Sequence, residues 1–203
     1  MQILPFTRRE DLPAAVAAVR AVLASHAVTA LPTETFYGLA VAPGDRSAVA
    51  RVVALKGRPS EKALPVVGAS LAQLEALVTV AEPWRSRLLE VWPAPLTVVL
   101  PLVRPGVASR TLAVRVPDHG LLRSLLAEVG PLTATSANRA GAPPLDDAAA
   151  VSRDLGRGLA LLLDGGRTPG GLPTTLIDLS VSPPRKLRAG SFEPPRSWQV
   201  ERM

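Results

Sequence analysis

The sequence predicts an α/β fold, with helices and strands interleaved along one domain around a mixed sheet. Three observations predict it. Apolar residues recur at helical spacing in some stretches and in short continuous runs in others, and the two kinds alternate along the chain. No internal repeat or low-complexity linker divides the 203 residues, a length that suits one sizeable core and is short for two full domains. The 21 prolines fall mainly between these stretches, where they stiffen the junctions.

Taken in order, "DLPAAVAAVRAVLASH" (11–26) reads as a helix and "AVTALP" (27–32) as a buried strand. Tyr37-Gly38 then leads into another extended run. "DRSAVARVVAL" (45–55) is a second helix, with Asp45 as N-cap and Gly57 as terminator. "ALPVVGA" (63–69) is a strand, and Ser70 with Gln73 forms a capping box for the helix "LAQLEALV". A helix over 83–92 precedes the strands "PLTVVLPLV" (95–103) and "TLAVRVP" (111–117). A helix at 119–129, the strand "PLTATS" (131–136) and a helix near 146–155 follow. Strands at 159–163, 174–179 and 185–189 complete the pattern, and residues 193–203 read as a tail over the surface.

Composition narrows the classes. Forty-seven per cent apolar and 20% charged residues are ordinary globular values, with Leu, Val and Ala supplying the bulk because aromatics are 3%. Apolar runs such as "LALLLD" (159–164) are too short to span a bilayer, and "MQILPFTRRE" lacks the charged and long apolar regions of a secretion signal. No membrane partner is expected. The absence of cysteine excludes disulfides and thiolate metal sites and fits a reducing, cytoplasmic location. A formal charge of +6 favours an anionic partner such as a nucleotide, RNA or phosphorylated metabolite, unless an arginine-rich genome supplies the excess.

Standard catalytic signatures are missing. There is no Walker A run and no G-x-G-x-x-G opening a helix. His26 and His119 are the two histidines, too few for a zincin or deaminase pattern, so no metal ligand is assigned to a protein side chain. A triad of Ser136, His119 and Asp164 can be written on paper, but no G-x-S-x-G supports it.

What remains is a set of polar clusters at the ends of apolar strands, where open α/β sheets bind ligands. In "LPTETFYGLA" (31–40), Thr33 and Thr35 flank Glu34; the hydroxyls can orient a small zwitterion whose ammonium Glu34 attracts, or they can simply form a turn. "KGRPSEKALPVV" (56–67) holds two of the chain's three lysines, Lys56 and Lys62, with Arg58 between them. Lys56 suits a helix C-terminus on dipole grounds alone, whereas Arg58 and Lys62 in the following loop suit a polyphosphate. Arg115 lies inside an apolar strand and must reach either solvent or a buried anion. "TATSANRAG" (133–141) offers Ser136 and Asn138 beside small residues, as a close backbone approach to phosphate or ribose requires, or as an ordinary turn has. Thr174 and Thr175 precede a strand, and Arg188 ends the next one beside Gly190.

In this order the segments resemble the YrdC/TsaC family of L-threonylcarbamoyladenylate synthases. "PTETFYGL", "KGRPSEKAL", "WPAPLT", "VRVPDH", "SANRAG", "TTLID" and "RAG" follow the family's seven motifs from about residue 10 to 192. Ala94, Ala140, Pro144 and Thr174 depart from the usual Gly, Ser, Ser and Ser. The resemblance implies a YrdC-like fold, a twisted mixed sheet with flanking helices and a basic concave cavity, in the short form without a further domain. It implies synthesis of threonylcarbamoyl-AMP and pyrophosphate from L-threonine, bicarbonate and ATP, with Mg²⁺ carried by the phosphates. The product would feed the threonylcarbamoyl-transferase machinery that makes t6A37 in tRNA. By the same resemblance, Thr33 or Thr35, Lys62, Arg115 and Thr174 hold threonine and its carbamate. Lys56, Arg58, Thr111, Ser136, Asn138 and Arg188 hold ATP, with Lys56 and Arg58 stabilising charge without a covalent nucleophile. The rival readings are a YciO-type paralogue, with which the chain shares "PTT" (173–175), and a module gripping double-stranded RNA or tRNA through phosphates.

Overall fold

The computed structural model describes residues 1–57, 63–105 and 109–202, with the Arg202 side chain outside that description. The chain begins with β1 (Gln2–Pro5), α1 (Leu12–Ala24), β2 (Thr29–Leu31) and β3 (Gly38–Ala40). Then come α2 (Arg46–Lys56), β4 (Val66–Val67), the single turn α3 (Leu71–Leu74) and α4 (Trp84–Val91). β5 (Leu96–Pro101), β6 (Thr111–Arg115), α5 (Gly120–Val129), β7 (Leu132–Thr133) and β8 (Thr135–Ser136) follow. α6 (Ala148–Leu155), β9 (Leu161–Asp164), β10 (Thr175–Asp178), β11 (Arg185–Arg188) and β12 (Glu201–Arg202) complete the order.

Helix limits follow local chemistry. The Asp45 carboxylate accepts the N–H groups of Ser47 and Ala48, both at 3.0 Å, and starts α2. Gly57, at φ 62°, ends it in the left-handed conformation that a side chain resists. The Ser70 hydroxyl accepts the Gln73 N–H at 3.2 Å, as a capping box requires. Gln73, however, reaches back to the N–H of Ala69 instead of Ser70, and α3 stops after one turn, shorter than its apolar pattern predicts.

Among the described residues the strands form two mixed sheets, where the sequence led us to expect one. The first runs β1-β9-β2-β3-β8 and the second β12-β11-β10-β5-β6-β4-β7. The cause lies in "PLTATS": Leu132–Thr133 pairs antiparallel with β4, and Thr135–Ser136 pairs antiparallel with β3. One extended run therefore passes from sheet to sheet at Ala134, which no apolar pattern reveals.

Apolar faces pack into three clusters. Val16 and Val19 of α1 meet Leu122, Leu125 and Leu126 of α5 against the first sheet. Ala48 and Val52 of α2 meet Val151 and Leu155 of α6, with Leu39 between them. Leu74, Leu88 and Trp92 cover Leu96, Val98 and Val114 of the second sheet. Each fully buried leucine in these layers stabilises the fold by about 1.5–3 kcal/mol.

Both chain ends add to the stretch of about residues 10–192 that carries the family motifs. β1 pairs parallel with β9, outside that limit. The expected surface tail contains Trp198, only 3% exposed, set edge-on to Trp84 with ring centroids 5.4 Å apart. Glu201 and Arg202 then pair with Arg185 and Lys186. Burial of one large aromatic anchors the whole segment.

Candidate functional site

A cavity of about 470 Å³ opens where the two sheets meet. One wall comes from the end of α2 and the turn after β8, and carries Lys56, Ser136 and Asn138. The opposite wall, from β5, β6, β10 and β11, carries Thr97, Arg115, Thr174 and Arg188. Thr33 and Thr35, from the loop after β2, also line it.

The first wall is tied together by one ammonium. Lys56 is 6% exposed, and its Nζ donates to the carbonyl of Ser136, to the carbonyl of Asn138 at 3.0 Å and to Asn138 Oδ1 at 2.8 Å. Asn138 Oδ1 also accepts the Ser136 hydroxyl at 2.7 Å, and its Nδ2 donates to Ala142 at 2.6 Å. Ala140 N–H returns to the Lys56 carbonyl at 2.7 Å. A lysine fits here because a compact ammonium can donate in three directions to closely set oxygens, which a planar guanidinium cannot.

The second wall uses guanidinium groups. Arg188 donates Nε and Nη2 to the Thr174 carbonyl, at 3.1 and 2.9 Å, and Nη2 also to the Thr174 hydroxyl at 3.0 Å. Burial first, and the Arg115 charge second, pull the Arg188 pKa below its ordinary value. Thr174 and Thr97 share a hydrogen bond between buried hydroxyls at 2.9 Å. Gly190 makes this clamp possible: a Cβ there would fall 2.2 Å from the Pro173 carbonyl oxygen.

On the same wall, Arg115 pairs with Glu34 through Nη1 and Oε1. Their side chains are 8% and 9% exposed. Burial lowers the Arg115 pKa, and the Glu34 charge opposes that fall. The sequence reading gave Glu34 either a ligand's ammonium or a place in a simple turn; in the structure its Oε1 holds the Arg115 guanidinium. Thr33 Oγ1 donates to Phe36 at 2.7 Å and accepts the Thr35 N–H at 3.2 Å, so the turn reading also holds for these threonines. Tyr37, behind them, spends its hydroxyl on Gly166 at 2.7 Å, and burial pushes its pKa up to about 12.

Eight of the eleven predicted site residues thus line one cavity: Thr33, Thr35, Lys56, Arg115, Ser136, Asn138, Thr174 and Arg188. Arg58 and Lys62 lie outside the described residues. Thr111 does not line the cavity. It begins β6, four residues and about 13 Å of strand from Arg115, and its N–H and carbonyl are both engaged by Ser109. Thr97 was missed, although a lone hydroxyl inside "PLTVVLPLV" carries the same signal as the charge of Arg115 in its strand.

Fold and site together define an α/β ligand-binding protein whose cationic cavity lies between two mixed sheets. The comparisons give the family. The model Sua5_yciO_yrdC, described as telomere recombination, matches residues 21–190, and the chain belongs to this Sua5/YciO/YrdC family. Relatives named threonylcarbamoyl-AMP synthase include one from Bacillus subtilis, 37% identical over 87% of this chain and 54% of its own length. Another, from Chromohalobacter salexigens, is 41% identical over 78% of this chain and 89% of its own. The chain therefore spans about half the length of the first relative and most of the second. P. abyssi Sua5 complexed with L-threonine superposes with a TM-score of 0.82 at 33% identity, over 94% of this chain and 58% of that one. E. coli YciO shares the fold with a TM-score of 0.81 at 22% identity.

Proposed function

We propose that the chain is an L-threonylcarbamoyladenylate synthase, a nucleotidyltransferase that makes threonylcarbamoyl-AMP for t6A37 modification of tRNA. The observation that carries this reading is the convergence of Lys56, Arg115 and Arg188, with seven hydroxyl-bearing residues, from separate segments onto one cavity. The similarity to named synthases and to a threonine-bound Sua5 supports it.

In this reading L-threonine and bicarbonate condense to a carbamate with loss of water. A carbamate oxygen attacks the α-phosphorus of ATP, and the bond to the bridging oxygen breaks to release pyrophosphate. Both partners are anionic, so their mutual repulsion dominates the barrier, and fixed cations with accurate placement lower it. Arg115, Thr33, Thr35 and Thr174 hold threonine and its carbamate. Lys56, Arg188, Ser136 and Asn138 face the nucleotide, and Lys56 also fixes the turn that presents Ser136 and Asn138. Arg58 and Lys62 join the phosphates and the carbamate from the neighbouring loop.

Mg²⁺ belongs to the same proposal, supplying charge neutralisation to the leaving pyrophosphate. Among the described residues no three His, Cys, Asp or Glu gather where they could hold a metal, so the ion is assigned to the nucleotide's own oxygens. Downstream, a threonylcarbamoyl-transferase would consume the product. Among the described residues no helix is long and apolar enough to cross a membrane, and we propose that the enzyme works in the cytoplasm.

The test is pyrophosphate release from ATP by the purified protein, with the AMP-linked product identified by mass spectrometry. The reading predicts product only when threonine and bicarbonate are both supplied. ATP turnover indifferent to threonine would remove it.

A further inference from the structure

The Glu34–Arg115 pair raises a question that the proposed reaction does not answer. A site meant to receive two anions keeps a carboxylate on one of its cations, in a place where both side chains are under 10% exposed. Removing a carboxylate and a guanidinium from water costs several kcal/mol per ion, so such a pair persists for a reason beyond simple stability.

Its geometry indicates the reason. Thr33 and Thr35 line the cavity while Glu34, between them, does not. Arg115 does line it. Glu34 therefore grips Arg115 from behind. The grip is one-pronged: Oε1 meets Nη1, whereas Oε2 is buried with no hydrogen-bond partner among the described residues. A forked pair would use two guanidinium nitrogens on Glu34; this one leaves the others for a ligand in the cavity. Arg188 lies near enough for the two guanidinium charges to oppose one another, and among the described residues it pairs with no carboxylate. His119, close enough to feel the Glu34 charge, adds none of its own at neutral pH. Burial lowers its pKa, and its Nδ1 accepts the Leu122 N–H at 3.2 Å.

We propose that Glu34 is a positioning and specificity-determining residue. By holding Arg115 from behind and cancelling its charge, it reserves that end of the cavity for a zwitterionic amino acid and against free phosphate. Two uncancelled guanidinium groups at one end of the cavity would attract a dianion more strongly than a ligand of zero net charge. With Arg115 neutralised, the carboxylate of an amino acid gains a directional hydrogen bond, whereas a phosphate loses the attraction of the second charge. This inference rests on the proposed placement of threonine at Arg115.

The experiment compares the wild type with Glu34→Gln and Glu34→Asp, following the AMP-linked product, with inorganic phosphate as inhibitor against threonine. Glu34→Gln keeps the side chain's length and loses its charge. The KM for threonine should rise about tenfold while that for ATP stays within about twofold, and phosphate should compete with threonine about tenfold more tightly. Glu34→Asp keeps the charge and withdraws it by one methylene, so the threonine KM should rise with phosphate inhibition unchanged. Wild-type threonine KM and phosphate inhibition in Glu34→Gln would overturn the proposal, as would a fall in kcat and melting temperature with no KM split. If Glu34→Gln does not fold, an unchanged threonine KM in Glu34→Asp overturns it. If the wild type forms no product, the proposed reaction is what fails. Calorimetry with inorganic phosphate then tests this inference alone, expecting tighter binding to Glu34→Gln and overturned by equal binding.

Discussion

The two walls of the cavity hold their cations differently. On the wall formed by α2 and the turn after β8, Lys56 donates to three oxygens of that turn and is almost fully buried. On the wall formed by β6 and β11, Arg115 and Arg188 each spend part of a fork on the protein and keep the rest toward the cavity. A point charge with three donors suits the task of fixing a backbone turn. A planar fork suits a task shared between protein and ligand. The comparison teaches that charges lining one cavity can commit different shares of their donors to the protein around them.

The largest effect should come from Arg115→Ala, which leaves the Glu34 carboxylate buried and unpaired. Urea unfolding should record a loss of about 3–5 kcal/mol, together with loss of product formation. Retained stability would break the claim that the pair is desolvated. Lys56→Met comes next, because it takes the charged donor from the oxygens of Ser136 and Asn138. About 2–3 kcal/mol of stability should go, and affinity for a non-hydrolysable ATP analogue should fall while threonine binding changes less. Equal loss of both ligands would blur the distinction between the walls.

Thr97→Val sharpens the other side. It removes one half of the hydroxyl pair with Thr174, so about 1 kcal/mol and a few-fold rise in the threonine KM are expected. The smallest effect concerns the start of α2. Backbone N–H groups, with His26 after them, hold the Asp45 carboxyl well below the ordinary carboxylate range. A depressed folded-state pKa contributes stability at neutral pH that is lost as pH falls below about 4. Asp45→Asn should therefore flatten the acid limb of a stability–pH curve and leave the region above pH 6 nearly parallel to wild type.

Much of this was legible in the sequence where local chemistry acts alone. Asp45 and Gly57 mark α2 because a side-chain acceptor and a left-handed glycine set the ends of a helix without outside help. Arg115 and the threonines announced themselves as polar groups at the ends of apolar strands. Non-local pairing was not legible. "PLTATS" divides between two sheets because β3 and β4, remote in sequence, each claim half of it. Trp198 is buried because Trp84 and Phe192 receive it, contacts that a proline-rich tail does not advertise. The Arg115 partner of Glu34 was not legible for the same reason, since it lies 81 residues away. Thr111, a site residue by motif position, begins the strand whose Ala113 and Arg115 line the cavity, and does not line it itself.

The most direct test of the central claim is a crystal structure with L-threonine and a non-hydrolysable ATP analogue bound together. The account predicts one continuous ligand density between the walls, with the threonine carboxylate on Arg115 and the nucleotide bridging Arg188 and the Ser136–Asn138 turn. Ligands bound on a different face, or a nucleotide that touches neither Arg188 nor that turn, would contradict it.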